Sequence, residues 1–175
     1  MHRSLPALAV ALAATALLAS SATGARAQQL EPQRITMTFV TIDGKDKPVR
    51  VLASGAISGT GTETQTEKTS ASGQVNYVTL HLPKGAVHLT APETFAWLPN
   101  LKTCTATAKG GGTFTITGGT GAFKLATGSG TFTDHGTLLG PRNASGQCLG
   151  PHTHTPPKRI EMTITMTGNA AAPSA

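Results

Sequence analysis

The sequence predicts an all-β protein: a single eight-stranded antiparallel β-barrel. Three observations lead there. After residue 27 almost no stretch has helical apolar periodicity, whereas threonine alternates with apolar or small residues along most of the chain, the period-2 pattern of half-buried strands. Turn-forming clusters such as "DGKDKP", "ASG", "PKG" and "KGGG" interrupt that pattern at short spacing. The first and last strands, "RITMTF" from Arg34 and "RIEMTI" from Arg159, are near copies, and a closed barrel commonly pairs its terminal strands.

In chain order, residues 1–27 read as a signal peptide. Arg3 supplies a positive n-region, Leu5 to Ala19 form an apolar run, and "ARA" (Ala25, Arg26, Ala27) places small residues at the −3 and −1 positions of a cleavage site. Cleavage after Ala27 is the first choice, with "SSA" ending at Ala22 the second. The apolar run is shorter than the roughly 18 to 20 residues a bilayer span needs, so no membrane anchor is expected after cleavage. The localisation this implies is secreted or periplasmic. Removing 27 of 175 residues leaves 148, which suits one domain with its own core, a barrel over 28–168 followed by a disordered tail over 169–175.

The first strand, "RITMTFVTI" (34–42), sets Ile35, Met37 and Phe39 against Thr36 and Thr38. "KPVRVLASGAISG" (47–59), "TGTETQTEKT" (60–69), "QVNYVTLHL" (74–82) and "GAVHLTA" (85–91) follow. "LKTCTATA" (101–108), "GTFTITG" (112–118) and "AFKLATGSGTFTDHGTL" (122–138) come next, and the last is "RIEMTITMTG" (159–168). That is about eight strands, enough to close a small barrel without exposed edges. Residues 139–158, "LGPRNASGQCLGPHTHTPPK", form the least regular segment, a long loop.

Composition excludes some functions. The mature chain would carry 12 Lys+Arg against 8 Asp+Glu, a net +4, scattered without the basic face and stacking aromatics of nucleic-acid proteins. The two cysteines, Cys104 and Cys148, are an even count in an exported chain and are expected to form a disulfide that pins the long loop. Their spacing fits neither a CxxC redox motif nor a compact zinc motif.

The densest glycine stretch is "GGTGAFKLATGSGTF" (118–132). It is not a Walker loop, because no G-x-x-x-x-G-K-[ST] exists, and not a dinucleotide fingerprint, because Lys124 stands where the third glycine belongs. The calcium nonapeptide also fails: Phe123 stands where the ligand aspartate must be. The structural reading survives. Gly118 and Gly119 supply positive φ for a tight turn, Gly121 permits a bulge, and Phe123 enters the core. Gly128 and Gly130 let the next strand coil. No cofactor is expected.

"GTFTITGGTGAFKLATGSGTFT" resembles the glycine-rich hairpin of allene oxide cyclase-like barrels and the related dirigent proteins. Gly112, Thr113, Phe114, Ile116, Gly118, Gly119, Thr120, Gly121, Phe123, Ala126, Gly128 and Gly130 match that pattern, and Leu125 departs from it, standing where glycine is usual. The resemblance covers about twenty residues. It implies an eight-stranded antiparallel barrel whose lumen, in the enzymes, holds an apolar substrate and sets product stereochemistry by shape. It supplies no catalytic residue for this chain.

Candidate chemistry is sparse. His152 and His154 lie two apart in "PHTHTPP"; a metal would need a third ligand such as His81, His88, Asp134 or His135, and no cluster is apparent, so no metal is expected. Asp134 and His135 are adjacent, hence on opposite faces of a strand. No G-x-S-x-G elbow is present. "ETFAWLPN" (93–100) brings Phe95 and Trp97 together and reads either as a loop capping the barrel mouth and lining a ligand site, or as a plug. Tyr77, Thr79 and His81 share one strand face, toward the lumen or toward solvent. The ligand site expected is therefore Tyr77, His81, Phe95 and Trp97, for a small hydrophobic molecule. The alternatives are an isomerase or cyclase that confines an apolar substrate, and a structural envelope barrel with a filled lumen. No nucleic-acid partner is expected.

Overall fold

The computed structural model describes residues 29–70, 73–149 and 155–172. The segment read as a signal peptide, the pair His152 and His154, and residues 173–175 lie outside them. Among the described residues nine strands form one antiparallel sheet: β1 (Glu31–Ile42), β2 (Lys45–Asp46), β3 (Arg50–Ser54), β4 (Gly59–Ser70), β5 (Gly73–Leu82), β6 (Gly85–Asn100), β7 (Thr105–Gly119), β8 (Thr127–Leu139) and β9 (Arg159–Ala171). Their order is β2-β1-β3-β4-β5-β6-β7-β8-β9, and β1 also pairs with β9. The barrel is thus closed by eight strands, with the two-residue β2 added outside against the end of β1. The near-copy strands do pair: Ile35 lies opposite Met166 and Met37 opposite Ile164.

The alternation read from the sequence sets the two faces. Ile35, Met37, Val51, Val78, Leu80, Val87, Leu89, Phe114, Ile116, Ile164 and Met166 point inward as one buried cluster, and the intervening threonines point outward. The β-branched threonines suit the outer face of a pleated surface, where they pack across strands and keep a hydroxyl in water. Thr36 faces Thr165, and Thr165 in turn faces Thr133.

Two strands are longer than expected. β6 runs on through Pro92 to Asn100, so "ETFAWLPN" is strand and not a mouth loop. Proline lacks a donor and usually marks a strand's end, but here Pro92 stays in register opposite Val75. β7 likewise runs through the three glycines at 110–112, which the sequence suggested as a break between two strands. At the C terminus β9 continues to Ala171, so the tail does not begin at 169: Ala170 and Ala171 are buried, and Ala170 is held between Glu31 of β1 and Gly128 of β8.

One end of the barrel is packed shut. There a short 3-10 turn (Gly121–Phe123) joins β7 to β8 and drives Phe123, 3% exposed, into the core. Gly118 (φ 123) and Gly121 (φ 57) supply the left-handed backbone. Gly119 does not have positive φ; it is glycine because a Cβ there would lie 2.1 Å from the Ala86 carbonyl oxygen. Gly121 opens the 3-10 turn instead of forming a bulge, and the register shift falls between His88 and Leu89 of the facing strand. Leu125 points to solvent, so the position where the resembling hairpins carry glycine takes a side chain here without crowding. Gln33 completes this end, donating from Nε2 to the Ile57 carbonyl at 2.8 Å and accepting from the Ile57 amide at 2.9 Å.

Candidate functional site

The opposite end is open. Its inward positions include Phe39, Glu93, Phe95, Trp97, Gly136 and Met162, none of them buried, beside the buried Ala106, Ala108 and Asp134. Phe95 and Trp97 lie two apart on β6, so they share the inner face and meet edge to face, centroids 5.5 Å apart at 85°. Beyond Trp97 the lumen widens into a cavity of about 570 Å³ with a largely apolar lining that includes Trp97, Ala106, Leu138, Leu149 and Pro157. This is within the size range of small-molecule sites.

The roof of that cavity is the loop after β8. Cys104, in the turn between β6 and β7, and Cys148, in the loop, are at disulfide-bonding distance with Cα atoms 5.2 Å apart, and both line the cavity. The loop is held further by Arg142, which donates to the carbonyls of Gly146 at 2.6 Å and Thr103 at 3.2 Å. The Gly140 amide donates to the Cys104 carbonyl at 2.7 Å, and the Leu149 amide to the Pro141 carbonyl at 3.0 Å.

Below the aromatics the inner face turns acidic. Glu93 (β6), Asp134 (β8) and Glu63 (β4) all face the lumen, whereas every described lysine, arginine and histidine is exposed. Asp134 is 0% exposed and lies across β7 from Phe95, because Gly110 pairs with both. Glycine is required there: a Cβ on residue 110 would lie 2.7 Å from Asp134 Oδ2 and 2.9 Å from the Phe95 ring. An amide relay leads to Glu93. Gln65 and Gln74 donate to Asn76 Oδ1 at 3.0 and 3.3 Å, and Asn76 Nδ2 donates to Glu93 Oε2.

Asp134 sits behind Glu93. Carboxylates only accept, so neither Asp134 oxygen meets a donor among the described residues. A proton on Asp134 lets it donate to Glu93. Burial first, then that hydrogen bond and the Glu93 charge, push the Asp134 carboxyl up to about 7. Burial alone pushes Glu63 up to about 7. Among the described residues no three His, Cys, Asp or Glu side chains form a group able to hold a metal ion.

The ligand site expected from the sequence is therefore half assembled. Phe95 and Trp97 are at the mouth, as strand residues. Tyr77 and His81 are not: they point outward, because Val78, Leu80 and Leu82 take the inner face of β5. Tyr77, 42% exposed, lies under the Lys68 ammonium, 5.0 Å from the ring centroid, and His81 Nε2 is 3.0 Å from the Thr64 hydroxyl. Asp134 and His135 do take opposite faces, the first buried and the second exposed. Glu63, Glu93 and the amides of the lumen were missed, and Asp134 was named without being placed in the lumen. Their signal was phase: Asn76 shares the parity of Val78 and Leu80, Glu93 that of Leu89 and Ala91, and Asp134 that of Phe132.

In comparison with known proteins, no family model, no curated protein and no solved structure matches this chain.

Proposed function

We propose that this barrel is exported and binds a small, mostly apolar molecule at its open end, between Trp97 and the disulfide-held loop. The observation that carries this reading is the cavity of about 570 Å³, apolar in lining and placed where the barrel core stops. The signal-like N terminus and the paired Cys104 and Cys148 support an oxidising, extracytoplasmic setting. The resemblance of the glycine-rich hairpin to allene oxide cyclase-like barrels supports an apolar occupant. A second reading, an isomerase or cyclase acting by confinement, is favoured by one feature: a buried Asp134 carboxyl that holds its proton to about pH 7 next to Glu93. A purely structural barrel is the weaker reading, because only the end holding Phe114 and Phe123 is packed solid.

The test uses the single tryptophan. A neutral apolar probe such as N-phenyl-1-naphthylamine should shift Trp97 emission and saturate. Trp97→Ala, followed by probe fluorescence, should weaken binding by at least about 1 kcal/mol. Binding untouched by that substitution would move the site, and absence of binding by any apolar probe would refute the reading.

A further inference from the structure

The apolar cavity accounts for one half of the open end and leaves the acidic half unexplained. A net-basic chain has placed every described cation outside and three carboxyls inside. Buried charged groups are normally paired, yet no positive side chain faces the lumen and no donor reaches Asp134 among the described residues. Other inward residues do not compensate. β1, β3, β5, β7 and β9 present no titratable side chain at this level, and β4 presents, besides Glu63, only Glu67, which is exposed.

Glu93 is partly exposed in the lumen and already oriented by Asn76, so one of its oxygens is engaged and the carboxyl cannot swing freely. Asp134 stands behind it, screened by Phe95, which is itself 37% exposed and contacts Trp97. A group entering from the cavity meets Trp97, then Phe95, then the carboxyls. Aromatic faces attract cations, and a carboxylate accepts charge-assisted hydrogen bonds from an N–H donor.

We infer that the occupant carries an organic ammonium head seated on Glu93 and Asp134, with its apolar body along Phe95 and Trp97 toward the cavity beneath the disulfide. This rests on the reading of the open end as a site for an apolar molecule, and it names the head group that molecule bears. Such a head donates to the partly exposed Glu93 and brings the positive charge that the Glu93–Asp134 pair lacks once the shared proton is released.

Calorimetric titration of the full chain at pH 7.5 separates the two ideas, using decylammonium, decanol and decanoate below their micelle thresholds. Decylammonium should bind at least about tenfold tighter than decanol, the difference a charged hydrogen bond makes, and decanoate should bind weakest. Glu93→Gln with Asp134→Asn should bring decylammonium down to the affinity of decanol for the native chain. Equal affinities for decylammonium and decanol, or a preference for decanoate, would overturn the head group and leave the apolar reading standing. A preference for decylammonium that survives the double substitution would overturn its assignment to these carboxyls. Binding by none of the three would overturn both readings.

Discussion

Replacing Asp134 with asparagine should change how the stability of the barrel depends on pH. The side chain is 0% exposed and its carboxyl is pushed up from 3.8 to about 7, by burial first and then by Glu93. Below about pH 4 both the folded and unfolded chains hold this proton, and the group does not affect the balance. Between about 4 and 7 the unfolded chain releases it first. Each pH unit then costs the fold about 1.4 kcal/mol, so the loss reaches roughly 4 kcal/mol by pH 7 and stops growing above it. The buried carboxyl is thus neutral to stability at low pH and destabilises the fold as pH rises from its unfolded toward its folded value. Asparagine keeps the shape, does not titrate, and retains donors for Glu93. Asp134→Asn should therefore be more stable than the native chain at pH 8, by a margin that shrinks toward pH 5. Glu63, pushed up to about 7 by burial, loses stability in the same direction and leaves a residual slope in the variant. Urea unfolding at pH 5, 6, 7 and 8 with the disulfide intact, followed by Trp97 emission and circular dichroism, measures this. Parallel stability curves for the two proteins would refute it, since a carboxyl that titrates alike in both states has no such linkage.

Three other outcomes test the frame. Phe123→Ala, at the packed end, should cost about 3 to 5 kcal/mol in denaturant unfolding; an unchanged midpoint would show that Phe123 does not hold that end shut. Reducing the Cys104–Cys148 bond, which closes a loop with a sequence separation of 44, should cost about 4 kcal/mol on the loop-entropy model, checked by comparing melts with and without reductant. Gly110→Ala brings a methyl against Asp134 Oδ2 at 2.7 Å and the Thr94 carbonyl at 2.9 Å. It should lower the melting temperature and displace Phe95, and because Phe95 contacts Trp97, the emission of the native state should change as well.

Much of the barrel was legible in the chain because period-2 alternation is a local property. Ile35, Met37 and Phe39 against Thr36 and Thr38 need only the strand's own pleat. The same pattern at 160–166 announced a partner strand, which the β1–β9 register bears out. The cysteine pairing and the buried Phe123 followed from equally simple rules. Tyr77 and His81 were wrongly assigned to the ligand site, although Val78, Leu80 and Leu82 already claim the inner face. The glycine run at 110–112 was not legible. Three glycines usually signal a turn, and only the neighbouring strands show that Gly110 and Gly112 are small because Asp134 and the Pro92 carbonyl occupy the space.

The sequence by itself determined an all-β chain with alternating faces, near-copy first and last strands, and one cysteine bridge. Tertiary structure alone decided that the lumen is solid at one end and open and acidic at the other. Glu93 and Asp134 are distant in sequence, and nothing local relates them. They meet because β6 and β8 flank β7 in registers that set Glu93 opposite Gly112 and Asp134 opposite Gly110. A shift of one residue in either pairing would turn a carboxyl out to solvent. Burial beside a second carboxyl, which holds the proton on Asp134 to about pH 7, is a property of that register and not of the aspartate.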